Sequence, residues 1–563
     1  MSSSKKKQLR KEQYMTERQN AAAQEAKKLK RYTLTFWVVI AVVVCVFVGA
    51  VVSNPLKNMI YKNTNAIKVG DHVLSSVDVN YYYMDAVSDY QQSVYNQYYS
   101  MLGNSWSIAL GFDPTKPLDE QVLNQETGAT WADNFMETAK NAIKSNYALY
   151  DLAVKNGHKL TEDEQKSIDS TLATYELYAY YHGHKNVDSY LRATYGNGAS
   201  EKSYRNYLEI SALASSYLQA YSDSLEFTAQ DLLDYQAKAP YEFNSYTYAI
   251  YELKVNSFLK GGTTTKDENG KETTTYSDEE KAAAVKAAEV AANLLAGGEY
   301  LDLEMFDKAI KALPHNQDNP TAASTKYDTV LYAEISSRFQ DWLIGKVESE
   351  DEDAEPTFEE RTEGQLTVIA NKSGSGENEV INGYYVVRFG SVETNDFAMK
   401  DVRHVLIKFE GGKTDSTTGV TTYSDAEKAA AKEKAEKLLN EWKEAGDLSE
   451  DSFAELAKKN SKDGNAAQGG LYEKVYPGQM VENFENWLYD AERKVGDTGI
   501  VESPYGYHIM FFVGDNEQTF RDFMITNVKR NEDVKNWHND LVEAMKLEVL
   551  TLKHIELDMV LSH

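Results

Sequence analysis

Two histidines stand out by setting: His404 in Val402-Arg403-His404-Val405-Leu406-Ile407 and His508 in Gly506-Tyr507-His508-Ile509-Met510, both strand-like runs. Between them Asp463 opens the glycine-rich stretch Lys462-Asp463-Gly464-Asn465-Ala466-Ala467-Gln468-Gly469-Gly470-Leu471, and Met480 and Phe484 lie four residues apart after Gly478-Gln479. Histidines near a carboxylate can hold or pass a proton near neutral pH. On strands they read more simply as a satisfied polar network, with orientation and support ahead of direct proton transfer. Met480 and Phe484 fit either the core face of a helix or an apolar floor. The single cysteine, Cys45, makes no intramolecular disulfide and no thiolate-rich zinc site.

These groups need a frame, and a repeat supplies it. Thr274-Thr275-Tyr276-Ser277-Asp278-Glu279-Glu280-Lys281 returns 147 residues later as Thr421-Thr422-Tyr423-Ser424-Asp425-Ala426-Glu427-Lys428, and Phe306 and Phe453 keep the same offset. Phe339 and Trp342 answer Phe484 and Trp487. The copies span 241–395 and 396–515, too long for solenoid repeats. Each reads as a strand, a Gly/Thr-rich loop, a long helix, a shorter helical pair and a closing strand. The class is α+β.

Around the repeats the chain is helical. Phe135, Ala139, Ile143 and Tyr147 recur every four residues, Asn156-Gly157 stops that helix, and Thr161 to Glu164 is a capping box that starts another. Residues 60–240 are expected to form a helical lobe, and 516–563, with Trp537, Leu541 and Met545 on one face, to dock on it. The 39 tyrosines read as half-buried packing residues.

Residues 1–32 carry ten Lys+Arg against three Asp+Glu, net +7, so a total charge of -28 leaves -35 for the rest. Thr33 to Ser53 is 21 uncharged residues, long enough for a helix to cross a bilayer core of about 30 Å. The basic flank predicts a single-pass anchor, N-terminus cytoplasmic and the bulk of the chain outside. A cleaved signal would have a shorter charged flank and a shorter apolar core. Val43-Val44 before Cys45 is wrong for lipidation. The acidic charge argues against nucleic acid. Asp267-Glu268-Asn269-Gly270 and Glu348 to Glu360 lack the spacing of an EF-hand calcium loop.

The ordered set around His404, Asp463 to Leu471, Gly478 to Phe484 and Ser503-Pro504-Tyr505-Gly506-Tyr507-His508 closely resembles the parvulin peptidyl-prolyl isomerases. The resemblance implies a small antiparallel sheet wrapped by helices. His404, Asp463, His508 and Ser503 would be catalytic; Met480, Phe484, Gln479, Leu471 and Tyr505 would bind substrate. No metal and no cofactor are implied. The usual Gly-Gly-Asp-Leu-Gly is here Gly469-Gly470-Leu471-Tyr472, a departure at the rim. In the first copy Tyr248 and Tyr385 are read at the histidine positions, Ile335 at Met480 and Phe339 at Phe484, so that copy should be mostly scaffold. A looser likeness of Ala66 to Leu74 and Gly157 to Glu164 is to membrane-anchored secretion foldases, whose chaperone lobe uses both chain ends. It implies a Gram-positive bacterial surface and newly secreted, proline-containing chains as partners. A holdase without isomerase turnover is the alternative.

Overall fold

The computed structural model describes residues 55–266, 271–347, 356–416 and 418–557. Thr33 to Ser53 lies outside them. Among the described residues no helix is long and apolar enough to cross a membrane. The chain mixes helix and sheet and divides into two units, one of residues 1–225 and 530–563, the other of residues 226–529.

In the first unit the strands Asn65–Val69 and His72–Ser75 form a hairpin about Gly70, whose φ of +53° a side chain would strain. The strand Leu547–Val549, from the far end of the chain, pairs on its edge with Lys68 opposite Glu548. Ser75 and Asp78 form a capping box that starts the helix Ser76–Leu102; Thr130 and Asp133 do the same for Trp131–Lys155, and Thr161 and Glu164 for Glu162–Tyr181. Phe135, Ala139, Ile143 and Tyr147 are all buried, as a four-residue spacing on a helix requires. Within the same unit Trp537 stacks on Tyr221 at 3.7 Å and His538 bonds Ser145 at 2.8 Å.

The second unit holds two four-stranded antiparallel sheets of the same order. In the first, Thr325–Leu331, Ser245–Lys254, Val380–Glu393 and Leu366–Ser373 lie side by side; in the second, Leu471–Val475, Ala398–Lys408, Gly506–Thr519 and Thr498–Ser503. One face of each packs on a pair of helices, Asp278–Ala296 with Leu303–Ala312 and Asp425–Glu444 with Glu450–Asn460. The other face carries a short helix, Ser337–Leu343 or Glu482–Leu488. The duplication reaches single bonds: Glu280 Oε1 accepts from Gly262 N–H at 2.9 Å and Glu427 Oε1 from Gly412 N–H at 2.8 Å.

Strand register corrects one equivalence. Tyr248 pairs with Phe389 as Val402 pairs with Phe512, so Tyr248 answers Val402, and Ile250 answers His404. Tyr385 does answer His508, since Gly383 and Gly506 crowd the same neighbouring carbonyl, Leu253 O and Ile407 O. The alternation of a strand keeps Tyr248 and Ile250 on one face, and sequence spacing alone does not choose between them.

Candidate active site

His404 and His508 lie on the two central strands of the second sheet. His404 is opposite Met510 and His508 opposite Leu406, so the histidines sit diagonally on the same face. Their rings stack at 5.1 Å and 21°, with Nδ1 to Nδ1 at 2.9 Å. Both are buried. Beyond them, Ser503 Oγ is 2.8 Å from His508 Nε2, and at the other end His404 Nε2 faces Asp463 Oδ1 at 3.7 Å.

The last distance suits charge attraction and is too long for a hydrogen bond; His404 Nε2 has no hydrogen-bond partner among the described residues. The carboxylate nonetheless selects the tautomers. A proton on His404 Nε2 points at a negative charge, which leaves His404 Nδ1 to accept from His508 Nδ1–H and His508 Nε2 to accept from the Ser503 hydroxyl. The opposite set would aim a lone pair at the carboxylate. One direction of donation, from Ser503 through both rings, bonds the row as far as His404 Nδ1 and points the His404 Nε2 proton toward Asp463.

Titration agrees with a neutral His508. Burial, and then the neighbouring His404, push His508 down to about 4, with Asp463 opposing. The His404 imidazole, the Asn465 backbone N–H and the Tyr472 hydroxyl hold the Asp463 carboxyl well below the usual carboxylate range, against the pull of burial.

Phe484 is buried and forms the apolar wall. Its ring meets His404 edge-on at 5.6 Å and 80°, and His508 at 5.4 Å and 90°. Met480 is half-buried in the same cluster, with Val402, Met510 and Phe512 beneath. The Glu482–Leu488 helix sets both side chains, since Phe484 is on its inward face and Met480 on the turn before it.

Other expected contacts lie at the margin. Gln479 is exposed and turns back, its Oε1 accepting from Tyr476 N–H at 3.2 Å. Leu471 is half-buried, paired across the sheet with Arg403. Tyr505 is exposed at the surface, its N–H donating to Ser503 Oγ at 3.1 Å.

Tyr472 was visible in the sequence only as a departure from a motif. Its hydroxyl donates to Asp463 Oδ1 at 3.0 Å and its ring stacks on His404 at 5.2 Å. Burial and the adjacent Asp463 push its pKa up to about 12, so it remains a donor. Strand alternation from Leu471 was the available signal, since it turns Tyr472 to the opposite face. Gly470, at φ +67°, lets the loop pass: a Cβ there would lie 2.1 Å from the His404 carbonyl oxygen.

A four-stranded sheet with diagonal histidines, an edge-on phenylalanine and a flanking carboxylate defines a parvulin-type peptidyl-prolyl isomerase domain. Residues 384–515 match the family model described as the PPIC-type PPIASE domain. Foldase protein PrsA 1 of Listeria monocytogenes is 39% identical over 93 residues, 16% of this chain and 29% of that protein. Foldase protein PrsA of Geobacillus kaustophilus is 40% identical over 106 residues, 18% and 36% of the two chains. The chain thus spans about a third of the length of these relatives. Among solved structures, a peptidylprolyl isomerase (PrsA) from Bacillus cereus is 25% identical, covering 26% of this chain and 49% of the other with a TM-score of 0.16. PrsA from Bacillus subtilis is 14% identical, covering 78% and 98% with a TM-score of 0.27.

Proposed function

We propose that this chain is a foldase that isomerises X-Pro bonds in unfolded, secreted polypeptides, held outside the membrane by an anchor at Thr33 to Ser53. The observation that carries the reading is the buried row Ser503, His508, His404, Asp463 lying against Phe484. The barrier to rotation is the double-bond character of the amide, about 18 to 20 kcal/mol, and no covalent intermediate is needed to lower it. Twisting removes resonance and its charge separation. An apolar wall of Phe484 and Met480 that grips the proline ring and sheds water therefore favours the twisted amide over the planar one. The neutral histidine row, oriented by Asp463 and Tyr472, presents fixed dipoles beside the bond and stiffens the wall.

In this reading the helical unit holds the client. Exposed apolar side chains there, Met101, Ile108, Tyr180 and Tyr181 at 71–80% exposure, support that role. A holdase without turnover predicts instead that site variants leave client refolding untouched. The deciding test is cis-to-trans isomerisation of a proline tetrapeptide by the full chain and by Phe484→Ala and Asp463→Asn. Turnover by the parent and a tenfold or greater loss in both variants supports the foldase; a parent without turnover leaves the holdase.

A further inference from the structure

In the first copy, on the face of the sheet away from Phe339 and Tyr385, Arg388 is only 5% exposed and lines a cavity of about 290 Å³ with Ala249, Asp302, Leu303, Lys326 and Glu363. Its Nε has no hydrogen-bond partner, and its Nη2 reaches only the Tyr300 and Leu301 carbonyls at 3.4 and 3.5 Å. Among the described residues no carboxylate lies within ion-pair distance of Arg388, whereas Lys326 is paired with Asp328 at 2.6 Å. A buried guanidinium with weak bonds at one nitrogen is costly unless an anion meets it.

The second copy has a guanidinium in the same corner, and there it is satisfied. Arg403 lies opposite Phe511 as Ala249 lies opposite Arg388, so the arginine has moved across one strand pair between the copies. Arg403 Nε donates to Glu450 Oε1 at 2.8 Å, and its Nη1 donates to the Gln468 and Gly469 carbonyls. Glu450 is the first residue of its helix, after the Ser449 cap; the matching first residue after the Asp302 cap is Leu303. The first copy therefore keeps the cation, has among the described residues no carboxylate within ion-pair distance of it, and has a cavity in that corner.

We propose that this cavity binds a single carboxylate group on Arg388, from a ligand that also carries a basic group facing Asp302 and Glu363. One guanidinium without an ion pair matches a monoanion, and the fork of its N–H donors suits a planar carboxylate. The two acids would repel a phosphate dianion and attract an ammonium or guanidinium beside the carboxylate. A volume of about 290 Å³ is that of roughly ten waters in the liquid, enough for one amino acid. A free basic amino acid and a peptide ending in lysine share this chemistry.

The test is calorimetric titration of the full chain with free lysine, with N-acetyl-Ala-Ala-Lys bearing a free carboxylate, with the amide of that tripeptide, and with inorganic phosphate. Binding of lysine alone assigns a free amino acid; binding of the tripeptide acid, at least tenfold tighter than its amide, assigns a chain terminus. Arg388→Gln should weaken either at least tenfold. Leu303→Glu, which supplies the carboxylate found at Glu450, should do the same with Arg388 intact. Urea unfolding of the first copy, measured on the same samples, should keep the parent midpoint and so reports that each variant is folded; proline isomerisation by the second copy should remain at the parent level. Equal binding of acid and amide, equal binding by parent and Arg388→Gln, tighter binding of phosphate, or no heat from any probe would overturn the proposal.

Discussion

Phe339 meets Tyr385 edge to face at 5.3 Å and 89°, the same relation that Phe484 has to His508 in the second copy. The apolar wall is thus kept in both copies while the polar row is kept in one. Ile250 stands where His404 does, and Arg338 donates to the Tyr385 hydroxyl at 3.3 Å where the second copy has Ser503 on His508.

That contrast separates turnover from stability. Phe484→Ala should cut isomerisation of a proline tetrapeptide by tenfold or more. Phe339→Ala, a buried aromatic lost from the first copy, should cost about 3 to 5 kcal/mol of that copy's stability with turnover unchanged. Urea unfolding followed alongside the isomerase assay distinguishes the two; equal loss of turnover would make the first copy an active site.

Tyr472→Phe removes one hydroxyl and keeps the ring on His404. Asp463 loses a donor, its carboxyl pKa rises, and the pull that fixes the histidine tautomers weakens. Turnover should fall severalfold, less than in Asp463→Asn. Nitrogen chemical shifts of both imidazoles read the tautomers directly, and unchanged shifts in both variants would refute the assigned donation direction.

His508 ties the site to pH. Its folded value is near 4 against an ordinary 6.5, so between those limits the unfolded chain binds more protons than the folded one. Stability of the second copy should therefore be full above pH 6.5 and fall as pH drops from 6.5 to 4, by up to about 3 kcal/mol. Asp463, whose folded value is lowered, adds a further loss as pH falls below the ordinary carboxylate range. Denaturant midpoints from pH 7.5 to 4 test the sign. A His508→Gln variant should have a flatter slope.

Substrate charge should matter through the long-range field. The loop from Phe409 to Ser424 holds Lys413 against Glu410 and Asp415, and Glu410 is itself paired with Lys434 at 2.9 Å. Peptides with Lys beside the proline should turn over faster than those with Glu, a gap that closes as salt rises, and phospho-Ser-Pro should gain nothing over Ser-Pro. A phosphopeptide turning over fastest would sink the electrostatic argument.

The anchor has its own check. Cell fractionation should keep the full chain with membranes through a high-salt wash, and external protease should digest all but a short N-terminal remnant. Release of intact chain into the medium would refute the anchor.

The mixed fold was legible because helix stops, capping residues and the 147-residue repeat are local signals. Thr161 and Glu164 cap in the structure through contacts between residues three apart, and such contacts are written in the sequence. The corner at Arg388 was not legible. It depends on which residue faces which across strands more than a hundred residues apart, as does the exchange of Tyr248 for Ile250 opposite the site. Bulges between Phe389 and Ser391, and between Asp401 and Val402, shift that pairing with no mark in the local pattern. Tyr472 lay between the two: its strand was readable, but its bond to Asp463 needed the turn through Gly469 and Gly470.

The pairing of Lys68 with Glu548 has a consequence for synthesis. An edge strand near the start of the described chain waits for a partner 480 positions later, so the helical unit closes its sheet only after both copies of the repeat have emerged. During threading from one end to the other, the copies are complete while the unit that would hold clients still has an open strand edge. Under the proposed function, catalysis would thus be available before holding, and a nascent molecule of this protein would itself, for that interval, be an unfinished client.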